Sequence, residues 1–149
     1  MRLLAISLIL TLVAWSNAMG QSLEEITAIT FTKQTRGLLD EVMISRDSVE
    51  GFVENHRMPE NSHHYANAID ESQWAKLVMT LNDVQLEDID GLQSPTMNRA
   101  HDGAIHSSIV IAFKDGKTVT HSFDDENPHP DLKPLLDVIL EFRVPAAKE

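Results

Sequence analysis

The sequence predicts an α+β domain, an antiparallel sheet of about five strands with two helices packed on one face, in the order βββαββα. Three observations carry this expectation. Apolar and polar side chains alternate in residues 25–35 and again in residues 107–123, the two-residue period of a sheet with one buried face. Residues 70–81 and 131–142 instead repeat their apolar side chains at three- and four-residue spacing, the period of an amphipathic helix. Strand and helix patterns do not alternate one for one along the chain, so a parallel βαβ sheet is not indicated.

Residues 1–20 are read apart from this domain. Arg2 precedes an apolar run, Leu3 to Trp15, and small residues then sit two apart as Ser16, Ala18 and Gly20. That is the layout of a secretory signal peptide. The run is shorter than the roughly 20 residues a membrane span needs. Cleavage after Gly20 is expected to leave residues 21–149 as a single domain, secreted or periplasmic, with no membrane span. The chain has no cysteine, so neither a lipid anchor at the cleavage point nor a disulfide is expected, and the fold must rest on its apolar core. Arg2 is the one charged side chain of the leader, so its removal takes the formal charge from −11 to −12. So acidic a surface repels nucleic acid and anionic headgroups and favours, if anything, a cationic partner.

The elements follow in order. In residues 25–35, Ile29 and Phe31 share one face and threonines the other. Gly37 marks a turn. Residues 40–55 read as two short strands about a turn at Arg46-Asp47-Ser48, with Gly51 as a candidate bulge because Val49, Phe52 and Val53 break the alternation. Residues 56–67, with Pro59 and three histidines, read as loop. Asp70 then caps a helix, with Gln73 where a capping box places Glu or Gln. Trp74, Leu77, Val78 and Leu81 form its buried stripe. Leu86, Ile89 and Leu92 are spaced to tack the next segment down as a short helical turn, and the connection runs on irregularly to His106.

Residues 107–123 form a hairpin about Asp115-Gly116. A two-residue turn would pair Lys114 with Lys117, and a three-residue loop with Gly116 left-handed would pair Phe113 with Lys117. Only the second puts Ile109, Ile111, Phe113, Val119 and Phe123 on one face, and a one-residue slip would turn a whole strand over. The bulged register is therefore expected, with His121 on the apolar face near its end. Pro128 and Pro130 then stop the strand, and Leu132, Leu135, Leu136, Ile139 and Phe142 mark the last helix. Pro134 is tolerated only near a helix start, which places that start at Lys133 or just before.

The candidate chemistry is sparse. Seven histidines in a short acidic chain raise the question of metal. The best cluster is His121, Asp124, Asp125 and His129, where histidine nitrogens and carboxylates crowd one connection. No zinc-protease helix spacing, thiolate set or calcium-loop pattern occurs. No Gly-x-Ser-x-Gly elbow or glycine-rich phosphate loop is present either, so no catalytic residues are assigned and no cofactor is expected. For binding, the long connection offers Arg99, His101 and Asp102, with a local Arg99–Asp102 salt bridge as the simplest structural use. The polar hairpin face offers Thr118, Thr120 and Ser122.

The segments "ESQWAKLVMTL" and "DGAIHSSIVIAFKDGKTVTHSFDDENPHPDLKPLL" together resemble a loose set of secreted or lipid-anchored bacterial proteins of unassigned activity, frequent in Bacteroidetes. The resemblance lies in Asp102-Gly103-Ala104 before the hairpin, Phe123-Asp124 at its end, and Pro128 to Leu136 leading into a leucine-rich helix. It covers the C-terminal third best, and this chain lacks the anchor cysteine of the lipid-anchored members. The resemblance implies an exported α+β fold. The combined expectation is a non-enzymatic binding or accessory protein with an unidentified protein or small-molecule partner. The alternative is a metal-dependent function at His121, Asp124, Asp125 and His129.

Overall fold

A computed structural model describes residues 22–143, apart from the side chain of Arg99. The expected leader, residues 1–20, lies outside the described residues. The fold is α+β, with six antiparallel strands in one open sheet. The strands are β1 (Ile26–Thr35), β2 (Leu38–Ser45), β3 (Ser48–Asn55), β4 (His63–Ala68), β5 (His106–Phe113) and β6 (Thr118–Asp124), ordered β4-β3-β2-β1-β5-β6. Helix α1 (Glu71–Met79) lies between β4 and β5, and α2 (Lys133–Glu141) follows β6.

The expected alternation places the core. Ile29 and Phe31 of β1, Val42 and Ile44 of β2, Ile109, Ile111 and Phe113 of β5, and Val119 and Phe123 of β6 are all buried. They face Trp74, Leu77 and Val78 of α1 and Leu135, Leu136 and Ile139 of α2 in one cluster. Full burial of each such side chain stabilises by roughly 1.5–3 kcal/mol. That outweighs the exposed Lys76–Glu141 ion pair between the helices, since surface pairs contribute about 1 kcal/mol at most. Helix α2 is thus held to the sheet by its leucines.

The local signals act as expected at both helix starts. Asp70 accepts the Gln73 N–H at 2.9 Å, and Gln73 returns a bond to the Asp70 N–H. Hydrogen bonds from the Ser72 hydroxyl and the Gln73 amide hold the Asp70 carboxyl below its usual pKa. Pro134 falls in the first turn of α2. In the final hairpin the Phe113 N–H donates to Lys117 O at 3.0 Å and Gly116 has φ +84°, which is the bulged three-residue turn.

Two expectations are corrected. Residues 63–68, read as loop, form the sixth strand, β4, paired with β3. The segment "HHYANA" lacks an apolar alternation because an edge strand has only one neighbour, and here only Tyr65 leans into the core. Gly51 is not a bulge. It sits in regular register opposite Val42 and Tyr65. Its role is close approach: a Cβ there would lie 1.9 Å from Tyr65 Cζ. Phe52 breaks the apolar pattern because it points to the other face, 41 % exposed. The irregularity in the sheet lies instead in β1, between Ile26 and Ala28.

Gly51→Ala is expected to lower stability by about 1–3 kcal/mol through overpacking against Tyr65, read as a shift in the urea midpoint. Adding Tyr65→Ser should remove most of that penalty, so the two costs fail to add by about 1 kcal/mol or more. Simple additivity would refute the packing account.

Candidate functional site

The strand-to-helix join comes first, since it holds the expected metal cluster. His121 leaves β6 on the inner face, is 1 % exposed, and stacks on Phe123 with ring centroids 5.3 Å apart. Its Nε2 accepts the His129 backbone N–H at 3.0 Å, which requires that nitrogen to be unprotonated. His129 in turn uses Nδ1 to accept the Asp131 N–H at 3.3 Å, capping the short helical turn Pro130–Leu132. Asp124 is buried and accepts the Thr96 hydroxyl and, at 2.6 Å, the Asn98 N–H. Asp125, at φ +53°, faces Lys33 at 3.2 Å. The four candidate ligands thus turn toward different protein partners. Among the described residues no group of three or more His, Cys, Asp or Glu is placed to hold a metal.

Beside the join lies a polar seam that closes one end of the core. Lys33 and Asp40 are cross-strand neighbours on the inner face of β1 and β2. Lys33 pairs with Glu126 at 2.8 Å, Glu126 with Arg143 at 3.3 Å, and Arg143 with Asp40, which is 2 % exposed. The chain after α2 is thereby tied to β2, and the β6–α2 join to β1. Burial pulls the Lys33 ammonium pKa down, but the hydrogen bonds and charges of Glu126 and Asp125 outweigh it and leave it raised above the ordinary lysine value.

The second candidate region lies on the outer face of the sheet. Register sets Thr32, Ser108 and Ser122 in one cross-strand row, and Gln34 beside His106 in the next. These side chains line a recess of about 190 Å³. It continues into a shallow groove of about 530 Å³ bounded by Thr35, Arg36, Asp102, Gly103 and Ala104. Gly103, at φ +81°, turns the loop, and its carbonyl accepts the Thr35 hydroxyl at 3.0 Å. Thr120 and Ser122 face outward from β6 as expected.

Of the expected binding residues, Asp102 borders this groove. It pairs at 2.7 Å with Arg36 of the β1–β2 turn; the expected local bridge to Arg99 falls on a side chain outside the described residues. His101 is exposed beyond the groove lining. The sequence reading missed Gln34, Arg36 and His106. Their common address depends on β5 pairing with β1, a contact between distant segments that no local pattern marks.

Arg143→Met leaves the buried Asp40 carboxylate without its cation and should cost about 2–3 kcal/mol in urea unfolding. Asp40→Leu added to it should recover most of that loss, and no recovery would contradict the seam. The raised Lys33 pKa has a defined sign. Its contribution is full below the unfolded lysine pKa of about 10.4 and is lost as pH rises through the higher folded value. Thermal midpoints should therefore fall less steeply at alkaline pH in Lys33→Met than in the parent chain, and parallel profiles would count against this assignment. Searches for a matching family model, curated protein or solved structure find none for this chain.

Proposed function

We propose that the chain is an exported, non-enzymatic binding module that takes a polar ligand on the outer face of its sheet. The observation that carries this reading is the recess over β1, β5 and β6. Its walls are hydrogen-bonding groups, the hydroxyls of Thr32, Ser108 and Ser122 with the amide of Gln34 and the His106 ring. They stand on paired strands, so their spacing is held by backbone ladders. Rigid hydroxyls and an amide suit a ligand that is itself rich in donors and acceptors, because each direct bond replaces one to water at little ordering cost. The groove widens toward Arg36 and Asp102, an exposed pair that can exchange its mutual contact for contacts to a ligand. The apolar segment at residues 3–15 supports export. His121, on the inner face of β6, and Asp124, at the end of that strand and bonded to Thr96 and Asn98, are both buried, so the recess takes the ligand.

The test uses 15N-labelled protein and mixtures of monosaccharides, amino acids and dipeptides. Amide shifts should concentrate at Thr32, Gln34, His106, Ser108 and Ser122. Ser108→Tyr, which fills the recess, should abolish them while leaving the thermal midpoint in place. Shifts confined to other surfaces, equal response in Ser108→Tyr, or chemical turnover of a probe would each contradict the reading.

A further inference from the structure

The two edges of the sheet differ. At β6 the hairpin bond from Phe113 N–H to Lys117 O fixes the phase of the ladder, so Thr120 turns its N–H away from β5. The Asp90 carboxylate accepts that N–H, from the helical turn Leu86–Gly91 that packs along the strand. This edge is covered. At β4, among the described residues, no further strand pairs beyond the edge.

The phase of the β4 ladder is equally determined. The Ile69 N–H donates to Asp47 O at 3.0 Å, one step beyond the Ser48–Ala68 pair. Alternation then turns the backbone groups of residues 63, 65 and 67 toward β3, and those of His64, Ala66 and Ala68 outward. All three of these residues are exposed. An uncovered row of donors and acceptors is a template for another strand.

The surface next to this template has a definite character. Met43 and Phe52 are each 41 % exposed on the outer face. The outer face of β2, β3 and β4 carries the acidic side chains Glu41, Glu50 and Glu54 and no lysine or arginine, with His64 beside Phe52 as its one titratable base. Glu50 lies opposite Ala66, and an alanine leaves little bulk between that carboxylate and the space beyond the edge.

We propose that the β4 edge accepts an extended segment of a partner protein as a seventh strand, and that alternate residues of this segment are lysine or arginine. The ladder supplies main-chain bonds, and the alternation supplies selectivity. Basic side chains on the outer face reach across Ala66 to Glu50 and lay their apolar stems toward Phe52. A second copy of the chain is a poor occupant. Its own β4 offers His63 and His64 but no lysine or arginine, and each copy brings a formal charge of −11. This surface is separate from the recess over β5 and β6, so neither proposal depends on the other.

The probe is a strand-length peptide of alternating lysine and valine, compared with its glutamate-valine counterpart by calorimetry at low salt. The lysine peptide should bind at least about tenfold more tightly, and it should slow hydrogen exchange at His64, Ala66 and Ala68. Charge attraction alone would give the first result, so Ala66→Pro decides. It removes an outward N–H at an edge position where proline is tolerated and leaves every charge in place. It should weaken binding by about tenfold or more with Trp74 fluorescence unchanged. Glu50→Lys, which keeps the ladder and reverses the charge, should weaken binding by a similar factor. Undiminished binding to folded Ala66→Pro, unaltered exchange at the three amides, or self-association through β4 in place of peptide binding would overturn the proposal.

Discussion

The two-residue period of side chains along the strands is the constraint on which this molecule rests. It puts Ile29, Phe31, Val42, Ile44, Ile109, Ile111 and Phe123 on one side of a single sheet, all without measurable exposure. A sheet so loaded must be covered, and α1 and α2 supply the matching stripes. With no cysteine in the chain, covalent cross-links take no part in closing this layer. The same period leaves threonines, serines and glutamates on the opposite side, where they remain available to solvent or a ligand. Core and candidate binding surface are therefore two consequences of one register.

The open end of the core is finished with charge rather than with hydrocarbon. Asp40 and Lys33 continue the inner rows of β2 and β1 past the last apolar residues, and Glu126 and Arg143 close over them. Buried charges add little net stability compared with well-packed apolar groups. Their geometry is demanding, however, and Arg143 meets both Asp40 and Glu126 only when the end of α2 lies beside β2 and the β6–α2 join. The seam thus specifies how the last helix is seated, while Leu135, Leu136 and Ile139 hold it there.

Much of this was legible because the signals were local. The bulged hairpin followed from one test, which register keeps Ile109 and Phe123 on the same face. Asp70 with Gln73, and Pro134 near a start, gave both helix boundaries. Strand β4 was illegible because an edge strand with one partner needs no apolar alternation, and "HHYANA" carries none. Gly51 was misread because the atom that explains it, on Tyr65, comes from that unrecognised strand. The crowd at His121, Asp124, Asp125 and His129 suggested chemistry. Each of these residues instead satisfies a nearby backbone or side-chain group, as short polar side chains at a strand-to-helix join commonly do. The outer-face recess needed the pairing of β1 with β5, whose segments lie far apart in sequence.

Among the described residues, β6 meets its own connection at Thr120 while no further strand pairs with β4, and this asymmetry gives the sheet a direction. All of it presupposes that β1–β3, the β5–β6 hairpin and both helices share one cooperative core. Residue-resolved hydrogen exchange under native conditions, with low denaturant, tests this most directly. The account predicts that the ladder-bonded amides of β1, β2 and β5 exchange only through a common global opening, with the same denaturant dependence. Exchange of the β5–β6 hairpin and α2 through a separate, lower-energy opening, while β1–β3 stay protected, would contradict it.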